Sequence, residues 1–68
     1  MRYVVVIEKA ENNYSAYAPD LPDCITTGAT LEETRQQIQE VIEFHLELMR
    51  EEGLVIPEPT AIVQFVEV

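Results

Sequence analysis

The sequence predicts an α+β fold of order β-β-β-α-β, an antiparallel sheet with one long helix packed on one face. Three observations carry this. Short runs rich in β-branched and aromatic residues occupy the first 28 positions and return after Pro59. One stretch of helical periodicity lies between them, opened by Thr30-Leu31-Glu32-Glu33 and closed by Gly53. Asparagines and prolines punctuate the rest where turns are needed.

The first predicted strand is Arg2 to Lys9. Tyr3, Val5 and Ile7 share one face, and Val4, Val6 and Glu8 the other. Both faces are mostly apolar, so a central strand covered on both sides is expected. Glu11-Asn12-Asn13 reads as a hairpin turn, because Asn tolerates positive φ. Tyr14 to Ala18 is the return strand, and its small alanines let a helix approach that face closely. Pro19-Asp20-Leu21-Pro22-Asp23 is a rigid corner, since each proline fixes φ and restricts its predecessor. Cys24 to Gly28 is a short third strand, and Gly28 marks a place where a side chain would obstruct the backbone.

Thr30 is the predicted N-cap of a capping box with Glu33, and two glutamates in the first turn complement the helix dipole. Beyond Leu31 the apolar positions Ile38, Val41, Ile42, His45 and Met49 form one stripe, widened by Leu46 and Leu48. Gly53 is the expected C′ residue. A helix of about 20 residues spans about 30 Å. Phe44 and Leu48 sit off the center of the stripe, which suits a second surface to cover. Leu54 to Pro59 is an extended connector, and Ala61 to Val68 a final apolar strand whose edge calls for pairing between subunits.

Composition narrows the function classes. With 68 residues the chain makes one domain, expected to span 1–68. So small a domain needs a supplement to its core. Cys24 is the only cysteine and His45 the only histidine, which excludes a disulfide and a closed zinc shell and leaves oligomerisation. Thirteen acids against four bases give a net charge of −9. That field repels phosphate backbones and anionic membranes, so no direct nucleic-acid or membrane partner is expected. It attracts basic proteins, and it also serves plain solubility. The Tyr3–Ile7 run is too short for a signal-peptide core or a membrane span, so a soluble, cytoplasmic chain is expected.

Pro19-Asp20-Leu21-Pro22-Asp23-Cys24, followed by Thr27-Gly28-Ala29-Thr30-Leu31-Glu32-Glu33, resembles the signature of HicB-like antitoxin domains, roughly P-D-L-P-G-C … G-x-T-x-E-E-A. Tyr14-Ser15-Ala16-Tyr17 and the opening Tyr-Val-Val-Val-Ile strand are similar too, so the resemblance covers essentially the whole chain. Asp23 stands where the family most often has Gly, and Thr34 where it usually has Ala. The resemblance implies a partial ribonuclease H-like fold without nuclease activity. It implies as partner a small basic HicA-type toxin, an mRNA-cleaving enzyme with an essential histidine that the antitoxin covers. Many family members continue into a DNA-binding module. None follows Val68, so the expectation is the partner-binding module alone.

Candidate sites follow. Tyr17, Asp20, Asp23, Glu32 and Glu33 form either a docking surface for the toxin or a solvated acidic rim around the corner and helix start. Phe44, Leu48, Phe65 and Val66 are the candidate contacts of a homodimer or larger homo-oligomer. Glu8, Asp20, Glu32 and Glu33 would need to converge on ions roughly 4 Å apart to serve a two-metal nuclease, whereas capping already explains the two glutamates. His45 lies on the apolar stripe, and Cys24 lacks the flanking bases that would activate a thiol. No catalytic residue, metal or cofactor is expected. The alternative to the antitoxin is an orphan homo-oligomeric binding or scaffold domain with no toxin partner.

Overall fold

A computed structural model describes residues 1–68. Three antiparallel strands, β1 (Val6–Lys9), β2 (Tyr14–Ala18) and β3 (Leu21–Gly28), are followed by one helix, α1 (Leu31–Glu51). The α+β class and the long helix agree with the sequence reading. The sheet order is β1-β2-β3. β2 is therefore the central strand, and β1 lies at an edge rather than in the expected middle.

The reason is visible in the register. Val6 pairs with Tyr17 and Lys9 with Tyr14. Residues 2–5 have no ladder partner in β2, which shortens the predicted first strand by half. Ala10–Asn13 closes the hairpin, with the Ala10 amide donating to the Asn13 carbonyl at 2.8 Å. No residue other than Gly53 has positive φ, so the turn forms without the left-handed asparagine the sequence suggested.

The corner is tighter than expected. Ala18 pairs with Leu21, leaving only Pro19 and Asp20 to turn the chain. β3 then begins at Leu21 instead of Cys24, and the register shifts between Tyr17 and Ala18. Pro22 is accommodated because β3 is an edge strand with a bulge there. Leu21 and Cys24 both point inward and are fully buried.

α1 covers one face of the sheet. The core is Ala16, Ala18, Leu21, Cys24 and Ile38, with Tyr3, Val5, Ile7, Val41, Ile42 and Leu46 packed around it. The Thr30 side chain accepts from the Glu33 amide at 3.1 Å, which is one half of the capping box. The other half is not made, because the Glu33 carboxylate accepts from Gln37 Nε2 at 3.2 Å instead. At the far end Gly53 has φ +69°. The Gly53 amide donates to the Arg50 carbonyl and that of Leu54 to Met49, a Schellman stop.

The expected fourth strand is not formed within the chain. Residues 55–68 make no backbone–backbone hydrogen bond. Ala61 and Val63 border a cleft with Arg2, Tyr3, Val4 and Val5, but no backbone ladder joins the two segments.

Candidate functional site

Side chains of successive strand residues alternate between faces. Ala16, Ala18 and Cys24 turn toward α1, so Tyr17 and Ile25 point to the uncovered face. Register aligns Val6 with Tyr17 and Tyr17 with Ile25, an apolar row running across all three strands. Ile25 is 66 % exposed. Sequence reading singled out Tyr17 but not Ile25. Its signal was available in the alternation of Cys24-Ile25-Thr26, but only cross-strand register shows that it extends the tyrosine.

The acidic candidates separate into two groups. Asp20 and Asp23 lie at the start of β3, and Glu32 and Glu33 just after its end. Asp23 is the third residue of β3, and the five strand residues Cys24–Gly28, roughly 17 Å of strand, still lie between it and the helix start, so the four acids form no single rim. Asp23 is exposed within the bulge. Glu32 pairs with Arg35 at 3.3 Å on the solvent side of the helix.

Asp20 has an intramolecular role that its local pattern does not reveal. Its Oδ2 accepts from the backbone amides of Thr60 at 2.9 Å and Ala61 at 3.0 Å. Its Oδ1 accepts from the Thr60 hydroxyl at 2.8 Å. The Ala61 amide, then the Thr60 hydroxyl, hold its carboxyl below the ordinary carboxylate value. The Tyr3 hydroxyl donates to the Pro57 carbonyl and completes this anchorage. Partial burial, then the negative charges of Glu58 and Asp20, raise the Tyr3 phenol above its usual value.

Beyond that root Val63 borders a cleft with Arg2–Val5, and the rest of the arm is exposed. Phe65 is 88 % exposed and Val66 78 %. Phe44, 64 % exposed, and Leu48 lie on the outer side of α1. On its inner side, between α1 and β1, a groove of about 480 Å³ is lined by Tyr3, Val5, Ile7, Ile38, Ile42 and Leu46 among others.

No three of His, Cys, Asp and Glu side chains converge to hold a metal ion. His45 is half-buried along the helix. Cys24 is fully buried, and burial, then the charge of Asp23, push its thiol up, away from thiolate chemistry. No helix is long and apolar enough to cross a membrane.

A family model described as the HicB-like antitoxin of bacterial toxin-antitoxin systems matches residues 3–68. The chain belongs to the HicB-like antitoxin family. Relatives extend across phage, bacteria and archaea. An uncharacterised 14.9 kDa protein from the rep-hol intergenic region of Haemophilus phage HP1 is 36 % identical over 66 residues. That match covers 97 % of this chain and 50 % of the phage protein, so the chain spans half of that relative's length. A UPF0150 protein of Helicobacter pylori is 46 % identical over 41 residues, 60 % of this chain and 57 % of its own. A UPF0150 protein of Thermoplasma acidophilum is 36 % identical over 62 residues, 90 % of each chain.

In this HicB-like chain four of the signature residues have architectural roles. Asp20 roots the arm, Cys24 fills the core, Thr30 caps α1, and Gly28 admits the helix. A Cβ on Gly28 would stand 2.5 Å from Thr34 Oγ1 and 3.1 Å from the Thr34 amide. The glycine is thus required by close approach, not by an unusual φ.

Proposed function

We propose that this chain is an antitoxin domain, spanning 1–68, that neutralises a small basic HicA-type mRNA-cleaving toxin by masking its active site. The observation that carries the reading is the family match over residues 3–68. The net charge of −9 supports it, because it favours encounter with a basic protein and repels the toxin's RNA. The role is non-enzymatic, carried out in the cytoplasm, with binding in place of catalysis. Tyr17 and Asp23 on the open sheet side, and Glu32 and Glu33 at the start of α1, are the proposed toxin contacts. Asp20 contributes by shaping the corner. The working form is at least a homodimer, with Phe44, Leu48, Phe65 and Val66 at its interface.

The test is direct. The chain is mixed with a small basic HicA-type toxin, and RNA cleavage is followed. Stoichiometric loss of cleavage is expected, with Tyr17→Ala plus Asp23→Lys weakening inhibition at least tenfold. A toxin that continues to cleave in the presence of excess folded chain would overturn the reading. The second reading, an orphan homo-oligomeric scaffold, draws on the exposed arm and predicts self-association without any toxin.

A further inference from the structure

All four basic side chains lie on one side of this molecule. Lys9 is on β1, and Arg2 precedes it in the cleft with Ala61 and Val63. Arg35 lines the groove between α1 and β1. Arg50 stands near enough to Tyr3 to act on its phenol. The β3 side carries acids alone. These are Asp23 on the strand, Glu33 bonded to the Gln37 amide, and Glu40.

β3 is also the free edge of the sheet, whereas the β1 side is bordered by Ala61 and Val63. An edge strand turns half of its backbone donors and acceptors away from its ladder, and proteins guard such edges with proline, bulges or lysine. Here Pro22 and the register shift at Tyr17 and Ala18 guard only the start of β3. The stretch Cys24–Gly28 has neither proline nor charge. Hollows lie beside it on both faces of the sheet. On the uncovered face one is bordered by Tyr17, Ile25 and Thr27. On the helix face a cleft of about 360 Å³ lies between Thr26 on β3 and Gln37, Glu40 and Val41 on α1. Its outer wall is Phe44, which stays available to the self-association contacts named above.

We propose that the free edge of β3 receives an extended strand from a basic partner protein, paired along Cys24–Gly28. Main-chain bonds to the edge supply affinity, and alternate side chains supply specificity. Side chains on one face of the added strand cover Ile25, and those on the other enter the cleft against Val41. Lys or Arg at its ends and in the cleft meets Asp23, Glu33 and Glu40. The stretch that separates Asp23 from the helix start is the length of an ordinary strand, so the two groups of acids mark the ends of one seat. A partner laid flat on the uncovered face would leave the helix-side cleft and the unpaired edge unused. A second copy is the wrong occupant, because pairing β3 with its duplicate sets these acids against like charges. The proposal rests on the antitoxin reading, with the toxin as the source of the strand, and adds where on this chain it docks and in what conformation.

The experiment titrates isotope-labelled full chain with a small basic HicA-type toxin and follows amide exchange, affinity and RNA cleavage. The β3 amides that point away from β2 are expected to exchange fast in the free chain and to become protected in the complex. Ile25→Lys is expected to weaken binding about tenfold, with circular dichroism unchanged because Ile25 lies off the core. Glu40→Lys should weaken it as well. Glu43→Lys makes the same change in net charge on the β1 side of α1 and should not. Equal losses in those two variants would mean attraction by net charge alone and overturn the seat. Binding and inhibition without protection of β3 overturn the strand addition and leave the antitoxin reading intact. Outward β3 amides already protected in the free chain would mean that a second copy holds the edge, which also overturns the proposal. No binding at all overturns both readings.

Discussion

Thr34 is the one polar side chain that is fully buried, and its hydroxyl is satisfied by donating to the Thr30 carbonyl at 2.8 Å. Its Oγ1 also occupies the space that a side chain at position 28 would need. Gly28→Ala is therefore expected to cost about 1–3 kcal/mol through overpacking. Thermal unfolding is the measurement, at about 4–8 °C of midpoint per kcal/mol for a chain of this size. Adding Thr34→Ala should recover part of the loss, because the nearest clash disappears while the backbone contacts near 3.1 Å remain. Additive losses would show that the contact is unimportant. Cys24 makes a second prediction at this scale. Its folded-state value is raised, so its contribution is complete below the ordinary 9.0 and declines as pH rises through the folded value. The native thiol should resist alkylation at neutral pH, and prompt labelling of folded chain would contradict its burial.

At the scale of elements, α1 is bounded at both ends by local chemistry. Thr30→Ala removes the cap accepted by the Glu33 amide and should cost about 1 kcal/mol. Gly53→Ala places a side chain at φ +69° and should cost roughly as much. Denaturant midpoints of both variants check this. The arm's root is governed by Asp20, whose lowered value gives the opposite pH sign from Cys24. Its contribution is complete above the ordinary 3.8 and is lost as pH falls through the folded value. Amide exchange at Thr60 and Ala61 should accelerate in acid, and Asp20→Ala should accelerate it at neutral pH. Slow exchange in that variant would mean something else holds the root.

These elements show what the sequence made legible. Tyr14–Ala18, the helix with its Thr30 cap, and the Gly53 stop were readable because each is decided by neighbours within a few residues. The central place given to β1 and the fourth strand were misread for one reason. An apolar pattern states that a segment needs cover, not where in a sheet it lies or whether it pairs at all. The Asp20 contacts were invisible because they join residues 40 and 41 positions apart. Of the candidate site, Tyr17 and the outward Phe44 and Leu48 were legible from periodicity. The separation of Asp20 and Asp23 from Glu32 and Glu33 depended on the full length of β3, which the second proline disguised.

The whole molecule is a two-layer fold with a slight core, five fully buried apolar residues of which two are alanines. Fully burying a Leu or Ile side chain contributes roughly 1.5–3 kcal/mol, so a core of this size gives only modest stability. Charge is a property of the same scale. With a net −9, association with a basic toxin should be fast at low salt and slow markedly as ionic strength rises. Stopped-flow rates across a salt series test this, and a rate indifferent to salt would remove the electrostatic support for the proposed partner.

The Asp20 anchorage also bears on the order in which the chain folds. Joining residues 40 apart in a flexible chain carries a loop-closure penalty. Once β3 and α1 have formed, most of that loop is rigid, and only Ala29–Thr30 and the connector after Glu51 are left to be ordered. The anchorage should therefore close after the helix, late in folding. Asp20→Asn is expected to speed unfolding while leaving the folding rate nearly unchanged, a φ-value near zero in stopped-flow measurements.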